Sequence, residues 1–371
     1  MLHEKSRVLP PALETGHEDV AKLIDTYFLA YNAARLRESC QLIARMLDEG
    51  AVVGVSLSGA LTPAGLSSVI VPLMRAGFID YISSTGANLY HDLHFDLGFK
   101  IYRGGADVAT GAHDVRLRKE GVIRIYDLLF PAEVLYKTDE WVYRVLLSDE
   151  FKGRMMGTSE LHNTIGKYAL ETARQTGARP SILATAHDCD IPVYCPSPGD
   201  STLGMNVAAL WASGRQVGPH VDPSIDVTEM AALVLDAKRH GHTSGVVIFG
   251  GGAPKNFLLQ TEPQIQEILG IEEKGHDYMV QYTDARPDTG GLSGATPAEA
   301  VSWGKIDPEK LPGCVVCYVD STIAMPLLAS YVLARARRRE PSRLYRRRGE
   351  MVESLKREYE KSEPFKRYFG K

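Results

Sequence analysis

What this 371-residue sequence has little of narrows its class before any motif is read. Cysteine is scarce: Cys40, Cys189, Cys195, Cys314 and Cys317 are an odd, scattered set that builds no disulfide framework, so a reducing cytoplasm is the expected home. No apolar run reaches the ~18 residues of a membrane span, and no basic-then-apolar leader is visible, so the chain is expected neither to be secreted nor to cross a membrane. Basic excess is absent too. A net charge of -4 argues against a general nucleic-acid binder, which would carry a basic face. No internal repeat is present. His91 and His94 have metal-ligand spacing but no third ligand suggested nearby, and no metal is expected.

What remains is an ordinary globular composition, 44% hydrophobic and 24% charged, in a chain long enough to bury a large core. Residues 1–16, with Pro10, Pro11 and Gly16 and no periodicity, read as a mobile N-terminal arm. From His17 to Gly50 apolar residues recur at helical spacing, a helical entrance to the domain. One theme then repeats: an apolar run of strand length, a small polar or glycine-bearing turn, a helix. The runs are Ala51–Leu57, Phe78–Ile82, Ile191–Cys195, Val246–Phe249, Tyr278–Tyr282 and Cys314–Val319. Such continuous apolar strands predict an α/β fold with a parallel sheet and helices on both faces, its ligand beyond the strands' carboxyl ends. Cys314 and Cys317 fall inside the last run and read as small residues of a buried strand. The stretch 98–160 is predicted to be peripheral helices, with Tyr126–Phe130 open to a strand reading. Residues 17–335 are thus expected to form one domain, and 336–371, rich in arginine and glutamate, a solvated helical tail.

The turns carry the chemistry. Thr62-Pro63 looks like a helix start. Gly250-Gly251-Gly252 permits close backbone approach to a phosphate at the next helix, without completing G-x-G-x-x-G. His187-Asp188-Cys189-Asp190 reads as a loop before a strand. In Thr296–Lys305, Thr296 suits an N-cap, Pro297 the first helical position, and Glu299 a capping box or a functional carboxylate. That helix must stop near Gly304, presenting Trp303 and Lys305 at its end.

The run Glu299-Ala300-Val301-Ser302-Trp303-Gly304-Lys305 resembles the lysine motif of the deoxyhypusine synthase family. The resemblance extends from about residue 50 to about 335 and takes in Ser83–Asp92, Ile191–Gly204, Gly250–Lys255 and Val319–Ser321. It implies a Rossmann-like NAD-binding domain, a homotetramer with sites at subunit interfaces, and an NAD-dependent aminoalkyl transfer from a polyamine through an imine on Lys305. It also implies that Trp303 and Glu299 hold the amine, with His91 and Asn256 nearby. Ser58, Gly59, Thr85, Gly86, Asp200, Gly251, Asp284, Ala285, Asp320 and Ser321 fall where the family touches NAD; for Asp200 and Asp320 a helix N-cap is nearly as good a reading. Several family residues are replaced: paired glutamates by Tyr90 and His91, an acid by Met205 with Asn206 next, a histidine by Asn256, an acid by Leu292. Fewer acids suit an amine less charged than spermidine, unless other acids replace the missing ones. The expectation is therefore transfer to a small amine, as in homospermidine-like synthesis. The alternatives are true deoxyhypusine synthesis on a protein lysine and an NAD-binding regulator without turnover.

Overall fold

The computed structural model describes residues 18–109, 111, 113–215 and 217–370; the arm expected at 1–16 lies outside them. Six strands form the main sheet: β1 (Val52–Leu57), β2 (Tyr81–Ser84), β3 (Val193–Tyr194), β4 (Ser244–Phe249), β5 (Tyr278–Tyr282) and β6 (Cys314–Cys317). All pair in parallel, in the order β6-β5-β4-β1-β2-β3. The sequence pattern predicted six strands in these places, although β2 runs Tyr81–Ser84 rather than Phe78–Ile82 and takes in two serines read as turn; their order could not be read from it. Strand order reverses between β1 and β4, and a doubly wound sheet opens its binding crevice at such a point.

Side chains alternate across the sheet into two cores. Val247 and Phe249 of β4 join Val53, Val55 and Ile82 on one face, while Val246 and Ile248 join Tyr81, Tyr194 and Met279 on the other. The helical entrance forms as two helices, Glu18–Tyr27 and Tyr31–Asp48, the second packing against the β6 side.

Four expectations need correction. Residues 98–160 are not all helical: Tyr102–Arg103, Val122–Ile125 and Leu128–Pro131 make a small antiparallel sheet. Its hairpin turns through Tyr126 at φ 52, so the apolar signal was split by a two-residue turn. Thr62 does not cap a long helix. It begins the 3-10 turn Thr62–Ala64, its hydroxyl donating to the Asn88 carbonyl at 2.7 Å, and the helix Ser67–Arg75 follows. His187, Asp188 and Cys189 end the helix Ile182–Cys189, which Asp190 terminates at φ 52, rather than forming a loop.

The fourth concerns the arginine-rich segment, which is packed rather than solvated. Leu344, Met351 and Leu355 of the helix Leu344–Tyr359 are buried against the helix Pro223–Arg239. Its arginines meet acids of the main domain: Arg343 and Arg346 reach Asp190 at 2.7 and 2.8 Å, Arg347 reaches Asp236 at 3.2 Å, and Arg348 reaches Glu229 at 3.3 Å. Ahead of the helix, Arg339 reaches the buried Asp80 at 2.7 Å. Charge pairing with distant partners is invisible to local composition.

Candidate active site

The crevice is built from the carboxyl ends of the strands. After β1, Ser58 and Gly59 meet the glycine turn that follows β4: Ser58 Oγ lies against Gly251, accepting its N–H at 3.2 Å and donating to its carbonyl. After β2, Thr85 caps the helix Gly86–Asp96 and its hydroxyl donates to the Gly59 carbonyl at 2.6 Å. Gly86 must be glycine, because a Cβ there would overlap the Ser201 side chain after β3. Gly59 (φ 67) faces open space.

Acidic side chains ring this floor. Asp200, Asp284 and Asp320 are exposed beyond β3, β5 and β6, with Ala285 half-buried and Ser321 at the start of the helix Ser321–Arg335. Asp320 also caps that helix, accepting from Thr322 N at 2.8 Å, whereas Asp200 sits in the 3-10 turn Pro198–Asp200 and caps nothing. A reversed-order parallel sheet, small-residue turns at its switch point and carboxylates beyond the strands, able to accept from ribose hydroxyls, fit a dinucleotide such as NAD, while Gly251 N and Gly252 N here donate to Ser58 Oγ and Ser293 Oγ.

The helix that leaves the crevice at Gly251 links it to a second feature. Gly252–Leu259 carries Lys255 and Asn256 into a cavity of about 280 Å³ beneath the glycine loop 290–294. Leu259, Leu292, Ala295 and Ala300 give it apolar walls; Glu299, Trp303 and Lys305 come from the short helix Pro297–Ser302 and its end. Thr296 caps that helix by accepting from Glu299 N at 3.2 Å, and Gly304 stops it at φ 68, as the sequence predicts. The turn aims Lys305 inward.

Lys305 Nζ donates to Asn256 Oδ1 at 3.2 Å and lies 5.7 Å from the centre of the Trp303 ring. Burial holds its amine below the ordinary lysine value, although the Glu299 carboxylate pulls the other way. Lys255 is buried, donating to Gln281 Oε1 at 2.9 Å and the Ala295 carbonyl at 2.7 Å. Burial pushes it down to about 8, against the pull of Glu299 and helped by the charge of Lys305. Two lysines and a single carboxylate line this cavity, an arrangement that favours the uncharged form of an amine held there.

The structure thus brings Lys305, Trp303, Glu299 and Asn256 together. Within one chain it does not bring His91 to them. His91 lies in an aromatic cluster with Tyr90 and Phe130, its Nδ1 3.1 Å from His94 Nε2. Lys255 is a wall residue that sequence reasoning passed over, since only the fold shows that it shares a cavity with Lys305. The thiols of Cys314 and Cys317 are both raised to about 11 by burial, as suits strand residues.

Fold and site together define a doubly wound α/β protein with a dinucleotide-type crevice beside a lysine-bearing cavity. The sequence profile described as deoxyhypusine synthase matches residues 22–332, and the chain belongs to that family, a family of transferases. A protein of Nostoc punctiforme named deoxyhypusine synthase-like protein is 55% identical over 97% of this chain and 91% of its own length. One of Methanosarcina acetivorans, named probable deoxyhypusine synthase 2, is 37% identical over 85% of this chain and 87% of its own. A solved structure assigned to deoxyhypusine synthase of Entamoeba histolytica shares the fold, with a TM-score of 0.55 and 16% identity over 86% of this chain and 94% of that one. Among the described residues no helix is long and apolar enough to cross a membrane.

Proposed function

We propose that this protein is an NAD-dependent aminoalkyl transferase that passes an aminobutyl-type group between small amines through an imine on Lys305. The single observation that carries this reading is Lys305 itself, an amine depressed by burial, held by Asn256 and opening into a cavity beside an aromatic face. A neutral lysine is a nucleophile; an ammonium is not.

The Ser58, Thr85 and Gly251 loops and the carboxylates of Asp200, Asp284 and Asp320 would hold NAD, which would supply the oxidation of an amine carbon to an imine and the closing reduction. The residues of the chain do the rest. Asn256 Oδ1 accepts one Nζ hydrogen and so fixes the direction of the lone pair. Nζ adds to the imine carbon, that carbon gives up both of its bonds to the donor nitrogen, and the two protons shed by Nζ leave with the departing amine. An acceptor amine repeats the exchange and frees Lys305. Trp303 offers its ring face to the cationic end of the chain, and Glu299 the counter-charge.

The cavity supports a small acceptor. It is compact, and it balances one carboxylate against two lysines, which suits a diamine better than the three charges of spermidine. The same reading includes a homotetramer with sites at subunit interfaces. It draws support from Met205 and Trp211, large apolar side chains left exposed (63% and 74%) on the helix Thr202–Ala212. Light scattering checks the assembly.

The test is purified protein with NAD and putrescine, spermidine or agmatine, with and without a translation factor precursor as acceptor, read by mass spectrometry. A new secondary amine among the small molecules supports the proposal. Aminobutyl transfer only to the protein lysine replaces it with deoxyhypusine synthesis. No product with any acceptor, with NAD still bound, leaves the regulator reading in its place.

A further inference from the structure

The backbone that presents Lys305 is clamped from below by a polar layer the proposed chemistry does not use. Lys305 N donates to the Ala300 carbonyl and His276 N to the Lys305 carbonyl, both at 3.0 Å. The third clamp is a side chain: Gln266 Nε2 donates to the Gly304 carbonyl at 2.8 Å. Its remaining amide hydrogen goes to Glu262 Oε2 at 3.2 Å. Gln266 lies in a π-helical turn, Gln264–Ile268, a wide backbone turn that is rare and recurs at functional sites. The approach is close enough that a Cβ at Gly304 would stand 2.8 Å from Gln266 Oε1.

Glu262 is fully buried, and its Oε1 has no hydrogen-bond partner among the described residues. His276 Nδ1 stands 3.9 Å from it, and Glu273, Lys238 and Asp277 are the other charged groups that act on it. Burial, with Glu273 adding to it, raises its carboxyl to about 8. Near neutral pH it therefore accepts the Gln266 amide largely as a neutral acid and adds little charge to this layer.

A helix-end carbonyl needs a partner, and any donor would satisfy it. The position of this one gives it more consequence. The Gly304 peptide precedes Lys305, so a tilt of roughly 10° there swings Nζ by about 1 Å, a displacement on the scale that costs reactive groups their alignment. We infer that Gln266, held by the buried Glu262, is a positioning residue for Lys305, fixing the Gly304 carbonyl and thereby the path of Nζ into the cavity beside Asn256. This inference rests on Lys305 being the reactive amine.

The experiment is competitive acylation of the full-length protein with acetic anhydride across pH, quantified by peptide mass spectrometry, with exposed Lys356 as the internal reference. In the unmodified protein Lys305 acylates with a midpoint below that of Lys356. In Gln266→Ala the Lys305 midpoint moves up toward the reference, and the yield of borohydride-trapped imine at Lys305 falls about ten-fold. Glu262→Gln, which can still accept from Gln266, keeps both near the original values. Should Gln266→Ala fail to fold, Gln266→Met keeps the volume without the donors and is read in the same way. An unchanged midpoint and unchanged trapping in a folded Gln266 variant overturn the inference. Because acylation needs no amine substrate, the two failures separate: a protein that transfers nothing sinks the proposed function, whereas an unshifted midpoint in a Gln266 variant of a protein that does transfer sinks only the positioning role.

Discussion

Lys305 and His91 are both half-buried basic side chains whose burial favours the neutral form, yet they differ in what their neighbours leave open. His91 and His94 engage each other, His94 Nδ1 closes on Thr138 Oγ1 at 2.8 Å, and Tyr90 packs edge-on against both rings. Burial brings His91 down to about 4; burial, then the charge of His91, brings His94 down to about 3. That cluster is occupied with itself. Among the described residues Lys305 makes one side-chain hydrogen bond, to Asn256, and otherwise opens into the cavity beside Trp303. Desolvation alone does not mark a reactive group; desolvation with an unfilled approach does.

Four changes sharpen or break this contrast. The largest effect belongs to Lys305→Arg, which keeps the charge and removes the nucleophile: product formation by mass spectrometry should fall at least ~1000-fold. Equal activity would place the chemistry elsewhere. Asn256→Ala removes the only side-chain hydrogen bond to Nζ among the described residues, and the loss of about 1–1.5 kcal/mol should slow single-turnover transfer ~10-fold with KM little changed. Trp303 is 61% exposed, so its pull on a cation is modest. Trp303→Leu should raise KM for a diamine by about 3-fold while kcat holds.

The smallest effect tests the other cluster. His94 titrates near 6.5 in an unfolded chain and at about 3 here, so its contribution to stability is present above 6.5 and is lost as pH falls toward 3. His94→Gln should therefore lose less Tm between pH 6.5 and 4.5 than the parent does, followed by thermal melts. A parallel fall in both proteins would show that this pair is not a source of acid sensitivity.

Much of the frame was legible in the sequence because its signals are local. The six strands read out as apolar runs, and Thr296, Pro297 and Gly304 set the limits of the helix that presents Lys305 by cap, first-turn and stop chemistry. Strand order was not legible, since it depends on crossovers between distant segments. The contact between Lys305 and Asn256 spans 49 residues, and only the resemblance put the two in one site. Gln266 and Glu262 gave no signal at all: an amide and an acid on a helical stretch read as surface until the π-turn and the Gly304 carbonyl are seen together. The packed arginine helix was misread for a related reason, because its partners Asp190, Glu229 and Asp236 lie over a hundred residues away in sequence.

The central claim is that one amine carries the transferred group, and covalent trapping tests it most directly. The protein is incubated with NAD and isotope-labelled putrescine or spermidine, reduced with borohydride, digested and mapped. The account predicts an aminobutyl adduct on the peptide containing Lys305, lost in Lys305→Arg. A label on Lys255 instead, or product formed with no adduct on any lysine, would contradict it.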